Sequence, residues 1–138
     1  MRVDEDAIET LSPEECRRRL SEGGVACLAL PEVDGAPVLR PVNFVLDDDA
    51  LVVRTGEGRI FDAAQRSVPA ALLLHGIDKL EHTGWSVIAT GALTEREGDA
   101  RHDALPLRAW APGRKERFVA LALEELSGLR ILPGRGNR

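Results

Sequence analysis

The chain has 138 residues, the length of one domain that can bury its own hydrophobic core. Its net charge of -5 argues against a broad nucleic-acid-binding surface, and its apolar runs are too short to cross a bilayer. The acidic N-terminus, Met1 to Asp6, lacks an apolar signal core. We therefore expect a cytoplasmic protein with no membrane or nucleic-acid partner, folded as one domain over residues 1–138 with a core of about 12–132 and loose termini.

The first predicted element is a helix from Pro13 to Ser21. Ser12 supplies an N-cap hydroxyl, proline suits the first helical position, and Glu15 occupies the capping-box position. The pair Gly23-Gly24 ends the helix. Small and branched apolar residues from Val25 to Leu30 then predict the first strand.

Two further strands are predicted, over Val38 to Leu46 and Ala50 to Arg54. The acidic run Asp47-Asp48-Asp49 separates them and resists strand pairing, as expected for a tight connection. The three strands together predict an antiparallel meander.

The segment Arg54-Thr55-Gly56-Glu57-Gly58-Arg59 leads from this meander into a short predicted helix, Arg59 to Ser67. A strand-ending cation, a hydroxyl and glycines before a helix are the composition of a phosphate-binding site, because unpaired N–H groups and the helix dipole attract anions. Arg54, Thr55 and Arg59 are therefore candidate phosphate ligands. A solvated strand-to-helix turn has the same composition, and the local sequence leaves both interpretations open.

The remainder of the chain predicts short strands and one helix. The strands cover Ala70 to Leu74, Gly84 to Leu93, Glu116 to Leu123 and Gly128 to Leu132, and the helix covers Ala104 to Trp110. The second of these strands is long enough to bend across a barrel. Six or seven short strands without a strand-helix-strand rhythm predict a mainly β, antiparallel barrel with short helices.

Three motifs in this order resemble the pyridoxamine 5'-phosphate oxidase-like family of FMN-binding split-barrel proteins. They are Pro41-Val42-Asn43-Phe44, the strand end Arg54-Thr55, and Gly84-Trp85-Ser86-Val87. The branch that the chain resembles most comprises small bacterial oxidase-like and nitroimidazole-resistance-like proteins. The resemblance implies an antiparallel split β-barrel, FMN at the interface of a homodimer, and flavin-dependent oxidation or reduction of a small-molecule substrate.

The resemblance also implies which residues bind the cofactor. It places the FMN phosphate near Arg54, Thr55 and Arg59, and the flavin ring along Pro41, Val42 and Asn43. The Asn43 amide both donates and accepts hydrogen bonds, which suits the pyrimidine side of a flavin, although a strand-end or bulge role fits it as well. No catalytic residue is singled out, because the cofactor carries the redox chemistry.

Two tryptophans and a serine complete the candidate cofactor site. Trp85 and Ser86 lie where the family has a dimer-interface or cofactor-facing strand, although Trp85 fits a barrel core equally well. Trp110 resembles a late family segment that reaches toward the flavin of the partner subunit. One departure from the family is Leu72-Leu73-Leu74-His75, where many relatives have acidic residues.

Other chemistry finds less support in the sequence. The histidines and the two cysteines, Cys16 and Cys27, show no metal-ligand spacing, so no metal site and two reduced thiols are expected. Two alternatives within the same fold stay open, a deazaflavin-dependent reductase and a non-catalytic flavin-binding module. Extra cations along a groove would favour the deazaflavin, and the candidates for these are Arg40, Arg114, Lys115 and Arg117.

Overall fold

The computed structural model describes residues 7–31, 35–96 and 117–133. Within these ranges the chain forms two helices, α1 (Pro13–Ser21) and α2 (Arg59–Gln65), and eight strands. The strands are β1 (Ile8–Thr10), β2 (Gly24–Leu30), β3 (Val38–Asp47), β4 (Ala50–Thr55), β5 (Pro69–Asp78), β6 (Thr83–Arg96), β7 (Arg117–Ala122) and β8 (Glu125–Ile131). Neither described helix has the length and apolar composition needed to span a membrane.

Six antiparallel strands close into a barrel in the order β6-β5-β2-β3-β4-β7, with β7 returning to β6. Strand β8 pairs with the first half of β6, and β1 pairs with β8. These two strands therefore extend the sheet beyond the closed six-stranded barrel. The antiparallel split β-barrel predicted from the sequence is confirmed. The sequence pattern does not predict β1, because three residues are too few to show an alternation of apolar and polar side chains.

Strand β6 is the longest strand and joins the two parts of the sheet. Its residues Gly84 to Thr90 lie between β5 and β8, and its residues Leu93 to Arg96 pair with β7. The strand thus takes part both in the closed barrel and in its extension, which its length allows. Glu95 and Arg96 belong to the strand although their polarity predicts a loop, because pairing with β7 supplies backbone hydrogen bonds that do not depend on side-chain type.

Helix α1 has the predicted bounds and packs across one end of the barrel. The Ser12 hydroxyl accepts a hydrogen bond of 3.1 Å from the Glu15 amide, as expected for an N-cap. Cys16 and Leu20 are the buried residues of the helix. Burial raises the pKa of the Cys16 thiol, so this group stays protonated and behaves as a small apolar side chain.

The close packing of α1 on β8 depends on Gly128. A Cβ atom at this position would lie 2.6 Å from the Cys16 Sγ and 3.0 Å from a Leu11 methyl carbon. We expect Gly128→Ala to lower the free energy of unfolding by about 1–3 kcal/mol, because the helix must shift to admit the methyl group. Urea denaturation measures this effect, with Ser127→Ala on the exposed side of β8 as the control. Equal unfolding midpoints for the two variants would contradict the packing argument.

Candidate functional site

Two residues predicted to contact the flavin lie side by side on the outer face of the barrel. Phe44 of β3 and Val53 of β4 pair with each other and are buried in the core. The adjoining residues, Asn43 and Arg54, therefore point outward from the two neighbouring strands. Asn43 in turn pairs with Val25 of β2, whose side chain is 46% exposed. The structure thus brings the predicted ring contact and a predicted phosphate ligand to one surface.

The same outward row continues across β5 and β6. Cys27 of β2 pairs with Leu73 of β5. Because the two strands are antiparallel, Val25 lies opposite His75 when the same register is extended by two residues. His75 pairs with Ser86, a third residue predicted to contact the flavin. Arg54, Asn43, Val25, His75 and Ser86 form a band across five strands, which we call the outer band. Residues from distant parts of the sequence meet in it because each strand contributes one outward position to the row.

A shallow depression of about 280 Å³ adjoins the outer band. Its lining includes the side chains Val25, Cys27, Leu39, Arg40, Pro41, Leu73 and His75. Pro41 is the predicted flavin contact among them. Arg40, Cys27 and His75 are polar groups that the sequence does not assign to an FMN site. Cys27 pairs with Pro41 and with Leu73, whereas Arg40 precedes Pro41 in β3 and His75 lies two residues after Leu73 in β5.

Strand β3 is paired on one side only along part of the motif predicted to hold the ring. Strand β2 pairs with β3 from Val38 to Phe44, whereas β4 pairs only with Phe44 to Asp47. On its β4 side, the segment Val38 to Val42 therefore has no strand partner among the described residues. Proline, which lacks an N–H group, is typical of such an edge and occurs here as Pro41. Val42 points into the core and is 6% exposed, so only its backbone faces the edge.

Three cations surround the end of β4. The Arg54 guanidinium carbon lies 5.6 Å from the centre of the Phe118 ring, and Arg59 is exposed at the first residue of α2. Thr55, on the opposite side of β4 from Arg54, pairs with Arg117. Arg117 stacks on the Phe61 ring at 4.9 Å and lies 3.5 Å from a Glu57 carboxylate oxygen. Arg54, Arg59 and Arg117 thus bring positive charge to this end of β4.

Trp85 lies apart from the outer band. It adjoins Ser86 in β6 and therefore points to the other side of the sheet, where it packs on the core beneath α1. The Arg19 guanidinium carbon lies 4.3 Å from the centre of its ring. Trp85 is near the start of β6. Arg54 pairs with Phe118 of β7, and β7 pairs with the other end of β6. Trp110 falls in the range 97–116, outside the described residues.

The described residues contain no group of three or more His, Cys, Asp or Glu side chains arranged to hold a metal ion. The candidate site therefore consists of an apolar surface, an exposed strand edge, a few hydrogen-bonding side chains and a cationic end. This combination suits a flat organic ligand that carries an anionic group.

The closed six-stranded antiparallel barrel, with two added strands and two short helices, is that of a split β-barrel protein. A sequence model of the pyridoxamine 5'-phosphate oxidase family matches residues 12–130, and the chain belongs to this family. The family resemblance drawn from the three motifs is confirmed. A relative from Mycobacterium tuberculosis, described as an uncharacterised protein, is 32% identical over 104 residues, which are 70% of this chain and 68% of the relative.

Solved structures share the fold over nearly the whole chain. A putative pyridoxamine 5'-phosphate oxidase from Corynebacterium glutamicum superimposes with a TM-score of 0.75 and 21% identity, covering 96% of this chain and 99% of its own. A FAD-binding protein from Mycobacterium smegmatis has a TM-score of 0.68 and 22% identity, with coverages of 91% and 99%. A putative 5-nitroimidazole antibiotic resistance protein from Bacteroides thetaiotaomicron has a TM-score of 0.66 and 15% identity, with coverages of 89% and 88%.

Proposed function

We propose that this chain binds a flavin nucleotide, FMN in the first instance, between two copies of itself and uses it to oxidise or reduce a small molecule. The observation that carries the proposal is the shallow depression on the outer face of the barrel, which is lined by Val25, Pro41 and Leu73 and lies beside Asn43. Membership of the pyridoxamine 5'-phosphate oxidase family supports it. A structural relative described as FAD-binding supports a flavin as the class of ligand. Experiment decides whether the flavin is FMN or FAD.

The residues present fit the parts of a flavin nucleotide. Val25, Leu73 and Pro41 offer an apolar surface to a flat ring, and the exposed β3 backbone together with Asn43 offers hydrogen bonds to its polar edge. Arg54 and Arg59 supply positive charge for a phosphate group. When bound, a flavin supplies hydride or electron transfer, and the side chains of this protein orient it and exclude water.

Two copies of the chain are part of the proposal because the outer face of the barrel is strongly apolar. Its exposed large side chains are Val25, Leu39, Leu73, Ile88 and Leu129, which we call the outer apolar face. A soluble monomer rarely exposes a contiguous apolar surface of this kind, and a second copy related by a twofold axis would cover it. The second copy would also shield a ring lying in the shallow depression, which one chain leaves open on one side.

The first test is the visible absorbance spectrum of the purified protein after addition of FMN and desalting. We expect a yellow protein with about one FMN per chain, and mass spectrometry of the ligand released on denaturation identifies the nucleotide. Retention of FAD or a deazaflavin in place of FMN would identify that molecule as the cofactor. A colourless protein that retains none of them would reject the proposal. Turnover of reduced pyridine nucleotide with a quinone or nitro acceptor then distinguishes an oxidoreductase from a binding module.

A further inference from the structure

A second concave site lies on the other side of β6, where α1 covers the end of the barrel. It has a volume of about 470 Å³, within the size range of sites for small organic molecules. Its polar lining includes Arg19, Thr83 and Arg130, and its apolar lining includes Trp85 and Ile131. We call it the α1 pocket. It shares no lining residue with the depression beside the outer band.

The feature of this pocket that calls for a ligand is the Arg19 guanidinium. The Arg19 side chain is 22% exposed, and its Nε atom is buried without a hydrogen-bond partner. Nε itself is enclosed, but Arg19 lines the pocket and its side chain is partly exposed there. A guanidinium carries five N–H donors, so a molecule in the pocket can accept hydrogen bonds from the exposed part of this side chain.

The nearest protein carboxylate does not satisfy Arg19. A Glu15 oxygen lies 3.7 Å from Arg19 Nε, which is too long for a hydrogen bond. Glu15 instead accepts two hydrogen bonds from Arg18, at 2.8 and 2.6 Å, and one of 3.2 Å from Arg130. The hydrogen bond from Arg18 is the main cause that lowers the pKa of Glu15, so the carboxylate stays ionised and engaged by these two arginines.

The orientation of Arg19 is set by Trp85. The guanidinium carbon lies 4.3 Å from the centre of the indole ring, a cation–π contact that holds the guanidinium plane over the ring. Gly76 makes room for the indole, since a Cβ atom there would lie 2.5 Å from Trp85 Nε1. The contact with the indole restricts the Arg19 guanidinium before any ligand binds, which reduces the entropy lost on binding.

We propose that the α1 pocket binds a small organic carboxylate, with the carboxylate on Arg19 and an apolar body against the walls. Two parallel N–H groups of a guanidinium match the two oxygens of a carboxylate. A monoanion is favoured over a dianion because Asp78 lines the pocket and Glu9 and Glu15 flank Arg130. Trp85, Leu132 and Pro133 belong to the apolar lining. This site does not depend on the proposed flavin function.

Benzoate and its neutral isostere benzamide test the proposal directly. In ¹H–¹⁵N spectra of the full chain, the indole N–H signal of Trp85 is identified by its absence from the Trp85→Phe variant. We expect benzoate to shift this signal saturably at millimolar concentration, and benzamide at the same concentration to leave it in place. The flavin-free and flavin-loaded proteins should respond alike, which separates this result from the outcome of the flavin test.

Variants on α1 identify the residue responsible. We expect Arg19→Gln to weaken benzoate binding by about tenfold or more, the loss typical of a charge-assisted hydrogen bond. The matched control is Arg17→Gln on the same helix, where Arg17 pairs with Asp49 outside the pocket, and its affinity should equal that of the unmodified chain. If Arg19→Gln does not fold, Arg19→Lys takes its place. The difference between benzoate and benzamide in the unmodified protein then also shows whether a carboxylate binds. Equal responses to benzoate and benzamide, unchanged affinity in the Arg19 variant, or no saturable shift would overturn the proposal.

Discussion

The double variant Arg54→Ala, Arg59→Ala is expected to lose FMN on desalting, with a dissociation constant raised at least about a hundredfold. Each guanidinium would otherwise make a charge-assisted contact with the phosphate worth about 1.5–3 kcal/mol, since Arg54 lies near the end of β4 and Arg59 is the first residue of α2. The measurement is the flavin absorbance retained per chain, followed by a titration that gives the affinity.

The variant should remain folded, because Arg59 is exposed and the contact of Arg54 with the Phe118 ring is a small part of the packing around β4. Arg66→Ala is the matched control, since Arg66 is an exposed cation at the other end of α2. A double variant with unchanged FMN affinity and an unchanged unfolding midpoint would exclude a phosphate site at the end of β4.

The second large effect concerns the outer apolar face. We expect the unmodified chain to sediment as a dimer with twice its mass of 15.0 kDa, and the variant Leu73→Asp, Ile88→Asp to sediment as a monomer. The two side chains lie opposite each other on β5 and β6 and are 36% and 41% exposed in one chain. Burying four carboxylates in the interface should raise the dimer dissociation constant by at least about a hundredfold.

The control for this variant is Leu80→Asp, because Leu80 is 92% exposed in the turn between β5 and β6, away from that face. The control should remain dimeric. We also expect the monomeric variant to release FMN, since its ring would be open to water on one side. A monomeric unmodified chain, or a double variant that stays dimeric, would show that this face does not join two copies.

Local sequence signals were sufficient for the elements near α1 and the meander. The N-cap Ser12, the first-turn proline and the Gly23-Gly24 stop act within one turn of helix, so the bounds of α1 follow from the sequence. The acidic run at Asp47 to Asp49 likewise marks the turn between β3 and β4. The family followed from three short motifs, each weak alone, that are informative together and at their mutual spacing.

The placement of the candidate site depended on tertiary structure. The sequence names Asn43, Arg54 and Ser86, but only the register of β4, β3, β2, β5 and β6 places them in one row with His75. The one-sided pairing of β3 also depends on where β4 stops pairing with it, at Val53 opposite Phe44, while β4 itself stays paired with β7 along its whole length. Backbone pairing between distant strands decides both features, and it leaves little trace in local residue type.

The two sides of β6 also show which features follow from the sequence and which depend on the tertiary structure. The sequence by itself determined the family, the barrel and a set of polar residues suited to a flavin. Tertiary packing alone decided that Ser86 faces the outer band while Trp85 lies beneath Arg19, and that Arg117 joins Thr55 at the cationic end. The physical reason is that adjacent strand residues point to opposite sides, so the partner of each side chain is set by the element that packs on its side.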